Sequence, residues 1–271
     1  MKNKGIPTRY EIKKILEDES EYIRYLQANE IINQKLDCPK CGNQMKQDNT
    51  KMFICGKRNC RKTQSIFTNS WFEKDKIWVN EILEIYYYWL LKMPSTSIAI
   101  TMGKDPSTIS YHMSNIRNLV GSQVQEHKQK IGGKDIIVEI DETKMGRNKY
   151  HRGKPVIGAW VFAGVERTPD RKIFATVIQD KTENTLLGII NENVEQGSII
   201  YSDCFRSYKN IYDKLNLEHM TVNHSKYFVD PETGVHTNHI EGTWNGIKIG
   251  ILIRNRTEDK VQSYLLEFIW R

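Results

Sequence analysis

Residues 135–141 read DIIVEID. Alternation at period two puts Ile136, Val138 and Ile140 on one strand face and Ile137, Glu139 and Asp141 on the other, so an apolar strand runs into a carboxylate. Two more strand segments, 156–165 and 171–178, are rich in Val, Ile, Phe and Ala and flank the turn sequence Thr168-Pro169-Asp170. The three form a meander. Thr182 is placed to cap a helix carrying Leu186, Leu187, Ile189 and Ile190, and 198–202 is a short strand leading into Asp203. The order βββαβ, with one Asp on the first strand and another ending the fourth, is that of an RNase H-like domain of the α/β class.

That arrangement calls for a third ligand on a later helix, and 238–253 supplies one. On a helical wheel Asn238, Glu241, Asn245 and Lys248 share a face, while Ile240, Trp244, Ile247 and Ile251 form an apolar stripe beside it. Three carboxylates from distant segments can hold two Mg²⁺ ions ~3.5–4 Å apart, one activating water or a DNA 3′-hydroxyl and the other stabilising the leaving oxygen. Cys204 is no rival ligand, since Mg²⁺ prefers oxygen to thiolate. A single Asp at a strand end is ordinarily a turn or helix cap; two in this order plus the helix face favour a joint role. Gly242, Gly246 and Gly250 mark a further face, where close approach of another element or of DNA is expected.

Working back toward the N-terminus, Gly132-Gly133 reads as a linker. Before it, 105–120 begins with Asp105 as N-cap and Pro106 at the first helical position, with Ile109, Met113, Ile116 and Val120 facing inward. A short helix starting at Ser95-Thr96 and ending at Gly103 precedes it, after an apolar helix over 77–93 stopped by Pro94. This is the pattern of a helix-turn-helix, whose second helix enters the major groove. Ser107, Thr108, Tyr111, His112 and Asn115 are expected to face outward, with Arg117 beyond, and such residues can hydrogen-bond bases or phosphates. The same short turn also occurs in helical bundles that bind nothing.

Cys38, Cys41, Cys55 and Cys60 follow the spacing C-x2-C-x13-C-x4-C, the pattern of two knuckles bringing four thiolates to one tetrahedral Zn²⁺ in a zinc ribbon. The block has too little core to fold without metal. Ahead of it, 10–33 has helical spacing and reads as a packing or dimerising lead-in. The expected organisation is therefore 1–36 helical lead-in, 37–70 zinc ribbon, 71–131 helix-turn-helix region and 132–271 RNase H-like domain.

The chain has 271 residues, of which 39% are hydrophobic, 27% charged and 10% aromatic, values that exclude disordered, collagen-like and disulfide-miniprotein classes. No apolar run approaches the ~18–20 residues that span a bilayer, and the start lacks a signal-peptide stretch, so a soluble, non-secreted protein is expected. The net charge is +7, and the surplus is N-terminal: 22 basic against 14 acidic residues through Lys134, then 18 against 19. A polyanionic partner for the first half follows from that asymmetry. Lys144, Arg147, Lys149, His151, Arg152 and Lys154 form a basic run directly after Asp141; alone it would be a solvated charge run, but beside the acids it is placed to hold a DNA backbone.

The segments IGGKDIIVEIDETKMGRNKYHRGK, WVFAGVER, SDCFRSYKN, VNHSKYFVDPETGVHTNHIEGTWNGIK and YLLEFIWR, with the cysteine block, resemble the Merlin transposases and their bacterial insertion-sequence relatives. The resemblance implies a DDE-type transposase that cuts double-stranded DNA at terminal inverted repeats and inserts the element into target DNA. It implies Mg²⁺ or Mn²⁺ as cofactor and a homo-oligomer on DNA, with no membrane or small-molecule partner. By position Asp141, Asp203 and Glu241 carry the family's three acids. Some bacterial relatives have Asn in place of the last acid and a downstream Lys, positions that Asn238 and Lys248 could fill; on charge grounds Glu241 is the better ligand. The compartment implied is the nucleus in a eukaryotic host and the cytoplasm in a bacterium. The rival readings are a catalytically retired DNA-binding protein and a structure-selective nuclease or resolvase on the same core.

Overall fold

The computed structural model describes residues 6–48, 51–146 and 158–271. Internal contacts divide the chain into two units, Met1–Ile116 and Arg117–Arg271.

In the first unit, Thr8 and Glu11 form a capping box that starts α1 (Arg9–Glu17). Asp18 closes α1 and opens α2 (Glu19–Ala28), its carboxylate accepting from the Ser20 and Glu21 amides. Tyr22 and Leu26 of α2 pack with Phe53, Ile66, Phe72, Val79 and Ile82. A small antiparallel sheet, β1 (Met45–Gln47), β2 (Met52–Cys55) and β3 (Thr63–Ser65), lies in the same cluster. Then come α3 (Val79–Leu90), α4 (Ser95–Met102) and α5 (Pro106–Glu126). Gly103 ends α4 at φ 61°, a conformation that glycine adopts freely, and the Asp105 carboxylate accepts from the Ser107 amide at 2.8 Å. Ile85, Tyr87, Tyr88, Ile98, Ala99 and Ile109 form the core of these three helices. The division between units falls inside α5.

The second unit is built on β4 (Ile137–Lys144), β5 (Trp160–Glu166), β6 (Ile173–Ile178), β7 (Ile199–Asp203) and β8 (Glu218–Val222), in spatial order β6-β5-β4-β7-β8. The first three strands pair antiparallel, whereas β7 pairs parallel to β4, and β8 parallel to β7. Alternation assigns the two faces. Val138, Ile140, Phe162, Phe174 and Ile200 pack under α6 (Glu183–Asn193) and α7 (Ile211–Leu215). Val161, Ala163, Val165 and Ala175 pack under α8 (Asn238–Gly250) and α9 (Glu258–Trp270). Because β5 is covered on both sides, WVFAGV reads as an unbroken apolar run. On α8, Gly246 approaches the Phe268 ring, where an added Cβ would lie 3.4 Å away, while Gly242 and Gly250 have open space.

The glycine pair does not act as a loose linker. Gly132 and Gly133 have φ of 86° and 136°, and their amides donate to Glu166 Oε2 and Ser198 Oγ at 2.8 and 2.9 Å. A Cβ on Gly132 would stand 2.3 Å from Ser198 Oγ, so close packing within the second unit explains the residue.

Candidate active site

Helix α8 lies along β4 in a repeating match. The amides of His239 and Ile240 donate to Glu139 Oε2 at 2.9 and 3.0 Å, Trp244 Nε1 to Asp141 Oδ2 at 2.8 Å, and Lys248 Nζ to Thr143 Oγ1 at 2.9 Å. Four helical residues advance about 6 Å and two strand residues about 6.6 Å, so the two periods stay in step over three contacts. This register turns the inner face of β4 into a row of polar anchors.

Asp203 reaches the same place along β7. Glu139 pairs with Tyr201 in the parallel ladder, and two residues further on stand Asp141 and Asp203, toward the carboxyl ends of adjacent strands. Asp203 Oδ1 accepts from the Phe205 amide at 2.9 Å. Burial, followed by the charges of Glu142 and Asp203, pushes the Asp141 carboxyl up to about 7 against the opposing Trp244 hydrogen bond. Burial lowers the Lys248 ammonium, with Asp141 acting in the other direction. Asp141, Asp203 and Lys248 thus form one electrostatic group. The ligand atoms that Asp141 and Asp203 offer are carboxylate oxygens, and burial still penalises the charge of Asp141 despite the Trp244 hydrogen bond, which fits a hard cation.

Glu241 rides on the same helix but turns outward. Its side chain is 53% exposed, with Oε1 3.8 Å from His224 Nε2. Asn238 is exposed in the first turn of α8. Asp141, Asp203 and Glu241 do not close into a cluster with ligand atoms within 4.8 Å of one another; among the described residues, Cys38, Cys41, Cys55 and Cys60 do, and so do Glu139, His236 and His239.

In the latter group a guanidinium takes the place a metal would need. Arg167 Nε donates to Glu139 Oε1 at 2.5 Å, and Arg167 Nη2 lies 2.9 Å from His236 Nδ1. A cation among these ligands would meet a charge of its own sign. The sequence placed Glu139 on the same strand face as Asp141 but gave no sign of its partners. Also unforeseen were Trp244 as donor to Asp141 and Glu142 on the opposite face, which pairs with Lys181 and accepts from Tyr208.

The cysteines behave differently. Sγ atoms of Cys38 and Cys60 are 3.6 Å apart and those of Cys41 and Cys55 3.5 Å apart, far beyond a disulfide and close to the roughly 3.8 Å edge of a tetrahedron with 2.3 Å bonds to sulfur. Burial raises the Cys38 thiol, but the amides of Lys40 and Cys41 outweigh it and bring the thiol down to about 7. The four thiols are therefore placed to hold one metal ion.

The α5 residues expected at DNA divide. Tyr111 is 58% exposed and Asn115 half-buried. His112 does not face outward: it is 3% exposed, packed edge-on against the Tyr86 and Tyr111 rings and 3.9 Å from Asp75, and burial lowers its pKa. Arg117 is also buried, its guanidinium paired with Glu267 and stacked on Tyr264. Helical spacing could not show that an aromatic side chain of α3 covers this turn. Lys144 is exposed at the end of β4, its ammonium 5.8 Å from the Trp160 ring centre. Arg147, Lys149, His151, Arg152 and Lys154 lie outside the described residues.

Residues 119–271, more than half of the chain and all of the acid-bearing elements, match the ISXO2-like transposase domain. An uncharacterized transposase-like protein of Haemophilus influenzae is 34% identical over 101 residues, 37% of this chain and 80% of that protein. The chain belongs to the ISXO2-like transposase family. Among the described residues no helix is long and apolar enough to cross a membrane.

Proposed function

We propose that this protein is a DDE transposase that cleaves and transfers DNA strands at element ends with an RNase H-like core. The observation that carries the reading is the juxtaposition of Asp141 and Asp203 on adjacent parallel strands. Counted within the unit, the strand order is 3-2-1-4-5, which supports that core. Asp141, Asp203 and Glu241 would hold Mg²⁺ or Mn²⁺, which supplies an activated oxygen nucleophile and neutralises charge on the phosphoryl group. Trp244 donates to Oδ2 of Asp141 and so orients the carboxylate. Lys248, held by Thr143, is placed to orient a phosphate, and Asn238 lines the same helix face. A Zn²⁺-bound ribbon at Cys38, Cys41, Cys55 and Cys60 and the exposed face of α5 around Tyr111 and Asn115 would read the terminal repeat. Lys144 and the basic run after it would hold the DNA backbone.

Nicking of supercoiled plasmid in Mn²⁺ tests the assignment. Asp141→Ala, Asp203→Ala and Glu241→Ala should each abolish it while sparing DNA binding. Near-parental cleavage by Glu241→Ala together with loss in Asn238→Ala or Lys248→Ala would move the third position to the Asn/Lys arrangement. A parent that binds DNA and never cleaves would make the protein a retired, binding-only derivative.

A further inference from the structure

We infer that Glu139 is a positioning residue that sets the placement of Glu241 relative to Asp141; the inference rests on the catalytic reading above. An α-helix begins with amides that have no partner inside the helix. The N-cap of α8, Thr237, makes no side-chain cap, its hydroxyl lying instead 2.7 Å from His224 Nε2. Glu139 performs the capping from another element. Its carboxylate, wholly buried, accepts from the amides of His239 and Ile240 on Oε2. On Oε1 it accepts from Arg167 Nε at 2.5 Å and, with the proton on Nδ1, from the His239 ring at 2.9 Å. Each oxygen therefore has two donors.

Arg167 extends the grip. Its Nη2 donates to the His236 carbonyl at 2.7 Å, and the guanidinium lies 4.7 Å from the Tyr201 ring centre. The last turn before α8 and its first two held amides are thus tied to β4 and to the end of β5. Glu241 is the residue after the second held amide, and Asp141 lies two residues along β4 from Glu139. One carboxylate on this strand holds the helix; the other faces the site that the helix completes. Misplacement of a reacting group by about 1 Å is enough to cost roughly 100-fold in rate.

The test uses the full chain and three variants: Glu139→Ala, Glu139→Gln and the double variant Glu139→Met with Arg167→Met. Glutamine keeps an oxygen for the helix amides but presents its NH₂ to Arg167, so it should fall between parent and alanine. The double variant removes the ion pair as a unit, so that no charge is left buried alone, while the His239 and Ile240 amides lose their acceptor. It should remain folded with a lowered melting temperature and, below that temperature, nick plasmid about 100-fold more slowly and need about 10-fold more Mn²⁺ for half-saturation. Amide hydrogen exchange at 239–241 should quicken in every variant. Parental nicking rate and Mn²⁺ dependence in the double variant would overturn the inference and leave the transposase reading standing. A parent without nicking activity, combined with faster exchange at 239–241 in the variants, would uphold the anchoring and overturn the catalytic reading. Unchanged exchange at those amides would overturn the anchoring itself.

Discussion

Asp141 retains its proton at pH values where an ordinary aspartate has lost it, because burial and two neighbouring acids penalise its charge. The sign of the consequence follows from linkage. With the folded pKa near 7 and the unfolded value near 3.8, the unfolded chain ionises first as pH rises. Stability from this group is full below about pH 4 and is lost through about pH 7. Asp141→Asn should therefore stabilise the metal-free protein at pH 8 by up to a few kcal/mol and have little effect at pH 4. Thermal melts at the two pH values, in chelator, check this. Adding Mn²⁺ should raise the parent's melting temperature and affect the variant far less, since a ligand stabilises only a state that binds it. A variant less stable than its parent at pH 8 would show that the Trp244 hydrogen bond, and not the desolvated charge, dominates this position.

At the scale of elements, α8 was the most legible part of the site, and for a definite reason. Its stripe Ile240, Trp244, Ile247 and Ile251 repeats at helical spacing and is buried as a unit. The strand of Asp141 was legible from alternation, and that of Asp203 from the short apolar run Ile199-Ile200-Tyr201. Glu139 was not, because period two shows which way a side chain points and nothing about a helix 100 residues away. His112 was misjudged because its environment is supplied by Tyr86 and Asp75, outside its own helix. β8, with the sequence EHMTV, is short and largely polar, so it gives no strand signal of its own. The small N-terminal sheet lends itself to an element-scale prediction. Its strands have three or four residues each, too short for independent stability, and the cysteines bring four thiols within 4.8 Å. Purified protein should contain one Zn²⁺ per chain by elemental analysis. Strong chelator should melt 37–70, read as rapid amide exchange there, while β4 to β8 stay protected. Intact protection of 37–70 without metal would show that Phe53, Ile66 and Phe72 suffice to hold the block.

Across the whole molecule, charge and chemistry are partitioned along the chain. The positive surplus lies before residue 135, in the part bearing the cysteines and the exposed face of α5, whereas the acids lie in the unit matched by the transposase domain. Binding discrimination and strand cleavage should therefore fail separately. Base-edge contacts carry sequence information, and phosphate contacts carry salt-dependent affinity. Tyr111→Ala and Asn115→Ala should reduce preference for an element's own end over random duplex by ~1–3 kcal/mol, with the salt slope on random duplex unchanged. Lys144→Ala should weaken binding to both duplexes alike and reduce the salt slope by about one unit. His112→Ala, by contrast, should act through stability, because the ring it removes is buried. Competition binding at several salt concentrations distinguishes these outcomes, with Mn²⁺-dependent plasmid nicking measured on the same preparations. If Tyr111→Ala and Lys144→Ala change discrimination and salt slope to the same extent, base reading does not reside on α5. If Tyr111→Ala and Asn115→Ala both keep full discrimination, the terminal repeat is read elsewhere in the chain, and the cysteine-bearing block becomes the first segment to vary.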